Sequence, residues 1–204
     1  MQGQKRPLLL IATGPTTGQF AFGPFREYAD AMAVSDAYRF CDFVHTIYAT
    51  DSDWWKYHEK ELTNHSARKF SLRVPGERES PICTYLENLG RSGFSFCEGH
   101  VFSGHNSGYA ALQLAVIQGY TDIYLVGFDM GFTGRDHCFG EHPIELRHWS
   151  DYELFISDFA SIGDNVKSKV NIRLATQPSG LAPFFEYRSP ADVLRHCKKV
   201  SGCN

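Results

Sequence analysis

The chain has 204 residues, 43% of them hydrophobic and 21% charged, the balance of an ordinary globular domain rather than a disordered or fibrous chain. A formal net charge of −3 argues against an extended nucleic-acid surface or an anionic-membrane surface, while leaving room for a local basic pocket. The six cysteines are scattered without a C-x-x-C pair, so they read as reduced thiols in a cytosolic protein, with pairing left open by the even count.

The length predicts one domain, 1–204, with a loop-rich insertion around 75–100. Lys5 and Arg6 before LLLIAT superficially resemble a short signal peptide, but Gly14-Pro15 interrupts the run, and a buried first strand explains it equally well. No apolar stretch is long enough to span a membrane. The expected location is the cytoplasm.

In chain order, Pro7 to Thr13 is the first predicted strand, closed by the GPTTG turn, Gly14 to Gly18. This turn has two readings. Its N–H groups and the hydroxyls of Thr16 and Thr17 suit an anion, and its glycines equally suit a plain strand-to-helix turn. It lacks the G-x-G-x-x-G spacing of dinucleotide folds. A short strand at Ala31 to Val34 ends in Ser35-Asp36, which can also cap the following AYRF. Val44 to Thr50 alternates and is β-branched, a third strand. Asp51 ends it, and a polar helix runs from Asp53-Trp54-Trp55 to about Leu62. Asp51 or Asp53 either caps that helix or holds a ribose hydroxyl or a metal. The tryptophans read as packing before base stacking. Ser66 to Val74 is a further strand at or near the sheet edge.

The stretch that organises the chain is Gly104 to Gly131, GHNSGYAALQLAVIQGYTDIYLVGFDMG. Asn106 or Ser107 can cap a helix over Tyr109 to Gln118, which is rich in Ala and Leu. Gly108, Ala111 and Ala115 are small enough to let that helix lie close to a sheet. Gly119 suits the left-handed stop. Ile123 to Phe128 is too continuously apolar for a half-exposed strand and fits a parallel sheet buried on both faces. Asp129 stands at its carboxyl end. Beyond it, His148 to Lys169 predicts a helix, Val170 to Ala175 a strand with QPSGL at its end, and Pro190 to Lys198 a closing helix.

These elements predict an α/β fold, Rossmann-like, a doubly wound and mostly parallel sheet with helices on both faces. In such a sheet the carboxyl ends of the strands share one edge. There the chain places Gly14 with Thr16 and Thr17, Ser35 with Asp36, Asp51, Asn106 with Ser107 and Gly108, Asp129, and Ser179 with Gly180. Each can be a cap, and together they outline a pocket for a polar, phosphorylated ligand. The helix starting near Ser107 offers N–H groups and a positive dipole end to a phosphate.

The segment GFTGRDHCFGEHPIELRHW gathers Asp136, His137, Cys138, Glu141, His142 and Glu145. Its spacing matches no standard zinc pattern, so no metal site is expected there. Magnesium bridged by ligand phosphates would use Asp51 or Asp129. An imidazole titrating near neutral pH makes the loop a source of acid or base, with His137 and Asp129 beside it; the alternative is a polar loop whose histidines cap helices or meet solvent. There is no G-x-S-x-G elbow and no Walker A lysine pattern.

The segments NSGYAALQLAVIQGYTDIYLVGFDMG, SDAYRF, YATDSDWW, HCFGEHP and QPSGLAPF resemble a Rossmann-like family of unknown function common in bacteriophage genomes. That family is grouped with the archaeal 6-hydroxymethylpterin diphosphokinases (MptE-like) and is distantly similar to bacterial sialyltransferases that use a CMP-linked sugar. The resemblance implies a nucleotide-binding transferase with a nucleotide-activated donor, glycosyltransferase-like in its leading form. The sialyltransferases place a histidine after their nucleotide-binding elements, which singles out His142 as acid or base. The alternatives are a diphosphokinase-like pyrophosphoryl transfer from ATP with Mg2+, or a phage protein that captures a nucleotide without turnover. The implied partners are a nucleotide or nucleotide-sugar and an unnamed small-molecule acceptor, in the host cytoplasm if phage-encoded. Assembly into a homo-oligomer is left open.

Overall fold

The computed structural model describes residues 5–131, 137, 138, 143, 146 and 150–202. Eight strands form one sheet: β1 (Leu8–Ile11), β2 (Asp30–Val34), β3 (Thr46–Tyr48), β4 (Arg68–Leu72), β5 (Thr84–Asn88), β6 (His100–Val101), β7 (Asp122–Val126) and β8 (Asn171–Leu174). The order is β6-β5-β4-β3-β2-β1-β7-β8. Every pairing is parallel, with Leu8 beside Asp30 on one side of β1 and beside Ile123 on the other. The doubly wound α/β architecture expected from the sequence is therefore present.

Because side chains alternate along a strand, β1 feeds two cores. Leu8 and Leu10 join the first, and Leu9 and Ile11 the second, all four fully buried. Each such side chain contributes about 2 kcal/mol by leaving water. The first core is closed by α2 (Ser107–Ile117), by Phe159 of α3 (Tyr152–Ala160) and by Val166 of α4 (Asp164–Lys167). The second is closed by α1 (Ser52–Leu62) and α5 (Pro190–Val200), with the aromatic run Phe20, Phe22 and Phe25.

Each helix follows from its residues. In α1, Trp54, Trp55, His58 and Leu62 are buried along one face. Trp55 also donates from Nε1 to Ala49 O at 2.9 Å; both tryptophans belong to the second core, and Trp54 also borders the cavity at the strand ends. In α2 the residues Gly108 to Ala115 are all buried, as a helix apolar on every side must be. In α5, Ser189 caps, Pro190 occupies the first turn, and Val193 and Cys197 bury one stripe.

One local expectation is revised and two gain detail. The stretch 75–100 is not simply loop: Thr84–Asn88 adds β5 in register with β4, Phe70 beside Thr84. The helix expected over 148–169 is two helices, because Ser161 ends α3 and Gly163, extended, begins α4. The GPTTG turn is one turn of 3-10 helix, Pro15–Gln19.

Both sides of the sheet end in little free backbone. β6 is two residues long. On β8, the segment around Tyr187 lies alongside: Leu174 N donates to Glu186 O at 2.9 Å and Arg188 N to Leu174 O at 2.8 Å. Among the described residues no helix is long and apolar enough to cross a membrane, and the five described cysteines form no disulfide.

Gly127 follows β7 with φ +73°. A Cβ there would stand 1.7 Å from Thr17 Oγ1 and 2.8 Å from Ala12 O. Gly127→Ala is expected to destabilise the chain by about 2–4 kcal/mol. Urea unfolding measures this, and an unchanged midpoint would show that the turn yields instead.

Candidate functional site

The chain leaves β1 toward β2 and leaves β7 toward β8, in opposite directions across the sheet. Between two such strands a crevice opens at their carboxyl ends. Here it is a cavity of about 670 Å³ whose walls come from the ends of β1, β2, β3, β4, β5 and β7 together with the starts of α2 and α3.

Its floor is a tight junction. Ala12 N donates to Val126 O at 2.8 Å and Gly14 N to Gly127 O at 3.0 Å. A Cβ on Gly14 would fall 2.4 Å from Gly127 O and 2.8 Å from the Asp129 carboxyl, so glycine is what permits this approach. Asp129 is 1% exposed. Its Oδ2 accepts from Thr16 N at 2.8 Å, and its Oδ1 accepts a short bond from Thr16 Oγ1. Burial raises its carboxyl above the usual carboxylate range, and the two Thr16 bonds draw it partly back.

The second wall is the start of α2. Asn106 is its cap, Oδ1 accepting from Tyr109 N at 2.9 Å. Ser107 Oγ accepts from Thr50 N at 3.1 Å, which ties α2 to the end of β3. Gly108 lets the helix start against Phe128, where a Cβ would meet the ring at 2.8 Å. Ser107 and Gly108 both line the cavity. Their N–H groups are two of the four that a helix leaves without an internal partner.

The third wall carries residues that sequence reasoning passed over. Asp158 of α3, 7% exposed, reaches back to the loop before α2. Its Oδ2 accepts from His105 N at 2.7 Å and from Asn106 Nδ2 at 3.3 Å, and its Oδ1 lies 3.0 Å from His105 Nδ1. Gly104, φ +58°, makes room, since a Cβ there would stand 2.7 Å from Asp158 Oδ2. His105 lines the cavity, as do Asn88, the last residue of β5, and Arg91 beyond it. A polar residue on one face of a mid-chain helix, with a histidine beside the preceding glycine, was the available signal.

Of the residues expected from sequence, the cavity wall includes Gly14, Ser35, Asp51, Asn106, Ser107, Gly108, Asp129 and His137. The remaining described ones are engaged within the fold and do not line it. Thr16 holds Asp129, and Thr17 donates to Ala12 O at 2.7 Å. Asp36 accepts from Trp54 Nε1 at 2.8 Å and pairs with Arg39 and His58, each at 3.4 Å. Ser179 donates to Phe128 O at 2.5 Å, while Gly180 packs on Ile156 and Met130. His137 Nδ1 lies 3.0 Å from Thr13 Oγ1. His142, with Asp136, Glu141 and Glu145, lies outside the described residues. The left-handed non-glycine residues among those described are Ser35 (φ 48°) and Met130 (φ 51°), and both line the cavity. Strain of this kind concentrates where a site demands it. No three His, Cys, Asp or Glu side chains among the described residues form a metal-binding group.

The fold is similar to that of the sialyltransferase CstII from Campylobacter jejuni solved with the substrate analogue CMP-3FNeuAc: TM-score 0.60 and 14% identity, over 92% of this chain and 88% of that one. The sialyltransferase CST-II with a trisaccharide acceptor and CMP gives a TM-score of 0.59 and 14% identity, over 91% and 87%. The alpha-2,3-sialyltransferase from Campylobacter jejuni in apo form gives 0.55 and 15%, over 92% and 82%. At this identity the likeness is one of fold. No protein-family model and no curated protein matches the chain.

Two measurements follow from the floor and the cap. A carboxyl whose folded value is raised binds its proton more tightly in the folded chain, so its contribution to stability is greatest at low pH and is lost as pH rises through the raised value. The stability of the wild type relative to Asp129→Asn should therefore grow as pH is lowered from 7 toward 4, read from paired denaturation curves. Asn106→Ala removes the cap and one donor to Asp158, and is expected to cost about 1–2 kcal/mol in the same assay.

Proposed function

We propose that the chain is a nucleotide-binding transferase that uses a nucleotide-activated donor, with glycosyl transfer from a CMP-linked sugar as its leading chemistry. The observation that carries this is the cavity at the switch point between β1 and β7, where strand-end polar groups and the start of α2 share the wall with apolar side chains. The support from outside the chain is a fold shared with sialyltransferases solved with CMP compounds.

In this reading the donor's phosphate lies at the start of α2. The N–H groups of Ser107 and Gly108 and the helix dipole meet it there. The same groups stabilise the nucleotide's phosphate as it departs, when its charge increases. Arg91 adds a cation to the wall, and in this reading Asp51, also on the wall, accepts from a ribose hydroxyl. The loop after Asp129 supplies an acid or base, His137 on the cavity wall and His142 further along it. Binding at a preformed, strained wall limits the reorganisation that catalysis must otherwise supply.

The test is calorimetry of the wild type with CMP, UDP, GDP and ATP, each with and without Mg2+, followed by incubation with CMP-sialic acid. CMP is expected to bind in the micromolar range, and Ser107→Ala to weaken it about tenfold. Release of free CMP with time supports the transferase. Recovery of intact CMP-sialic acid from a tight complex would replace it with nucleotide capture. Preference for ATP with Mg2+ would replace it with diphosphokinase chemistry.

A further inference from the structure

We infer that His105, oriented by Asp158, and not a histidine of the loop after Asp129, is the base that takes the acceptor's proton in this transfer; the inference rests on the donor reading just given. Asp158 receives three donors from one loop, the N–H and ring of His105 and the amide of Asn106. A carboxylate surrounded in this way acts as an acceptor. The ring nitrogen facing it at 3.0 Å, Nδ1, therefore carries the proton. The lone pair then resides on Nε2, which makes no hydrogen bond among the described residues, on a ring that is 24% exposed and part of the cavity wall. This is the relation by which a buried acid sets the tautomer of a basic imidazole.

Three features show that the pair is built in. Gly104 takes a left-handed φ of +58° and has no Cβ to collide with Asp158. Asp158 comes from α3, fifty-three residues along the chain. The same carboxylate steadies Asn106, the cap of the helix that would hold the donor phosphate. The base and the phosphate site are thus adjacent in sequence and share one support. The other described charged or titratable groups of the wall are Asp51, Arg91, Asp129, His137, Asp151 and Tyr152, and among the described residues the hydrogen bonds of the His105 ring and N–H go to Asp158.

The step balances as follows. Nε2 takes the proton of the acceptor hydroxyl. The oxygen forms a bond to the anomeric carbon. The bond from that carbon to the phosphate oxygen breaks, and its electron pair leaves with the nucleotide monophosphate. The imidazolium returns its proton to solvent.

The experiment uses the full chain with CMP and CMP-sialic acid, water serving as acceptor. Nitrogen-15 NMR should show neutral His105 protonated at Nδ1, and Asp158→Asn should shift it toward the Nε2 tautomer. His105→Gln should keep CMP affinity within about threefold, lower hydrolysis roughly a hundredfold, and remove the rise of rate with pH. An Nε2-protonated ring in the wild type overturns the assignment. So does normal hydrolysis by His105→Gln, or a joint loss of affinity and turnover. Wild type that binds no nucleotide sinks the functional reading and the base with it, whereas wild-type hydrolysis retained in His105→Gln sinks the base alone.

Discussion

One buried carboxylate holds the floor of the cavity. Among the described residues Asp129 has no cationic partner; its oxygens are satisfied by the backbone and hydroxyl of Thr16. That choice has a physical logic at a switch point. β1 and β7 run in register to Ile11 and Val126 and then separate. The turn after β1 needs an anchor on the β7 side, and backbone bonding reaches only to Gly14. A short side chain from β7's exit, accepting from an N–H and a hydroxyl of the turn, closes the gap without a bulky cation. Burial is unfavourable to the carboxylate's charge and raises its pKa, and the two bonds from Thr16 offset part of that.

The positions of the helices follow from that junction. Since both faces of β1 are buried, its four residues are all apolar, and the polar groups around it gather at the strand ends. α2 lies against the sheet on small residues, and Gln113, fully buried, spends its amide on Ser95 N, Phe102 N and Phe102 O. This fastens the connection from β6 to the helix that starts the phosphate wall. Asp158 fastens the same loop from α3. Two independent polar ties therefore converge on six residues, 102–107, and fix the side of the cavity where the donor and base are proposed to meet.

Much of this was legible beforehand, and for identifiable reasons. Runs such as LLLI and DIYLV read as doubly buried strands because no polar residue interrupts them. The start of α2 was legible in Asn106-Ser107-Gly108 because capping chemistry is local. β5 was not, since TYLEN at the far side of the sheet buries only Leu86 and lacks the apolar run that marks the central strands. The division of α3 from α4 escaped because its apolar positions continue through Ile162 and Val166, both buried in the same core. The polar residues at the ends of β1, β2, β3 and β7 were identifiable, but which of them turn inward was not. Asp36 and Asp51 look alike in sequence; only packing of Trp54 on the former separates their roles. The Asp158 contact with His105 joins residues from separate helical segments, and no spacing rule encodes it.

The two sides of the sheet have a consequence for how the molecule survives in a crowded solution. An exposed strand edge is a template on which a second chain can add its own backbone. A parallel sheet assembled from distant segments is especially open to this while it forms. Here one side tapers to the two residues of β6, and on the other side Leu174 already has its N–H and carbonyl taken by Glu186 and Arg188. Growth of the sheet into a fibre has little backbone to begin from at either side.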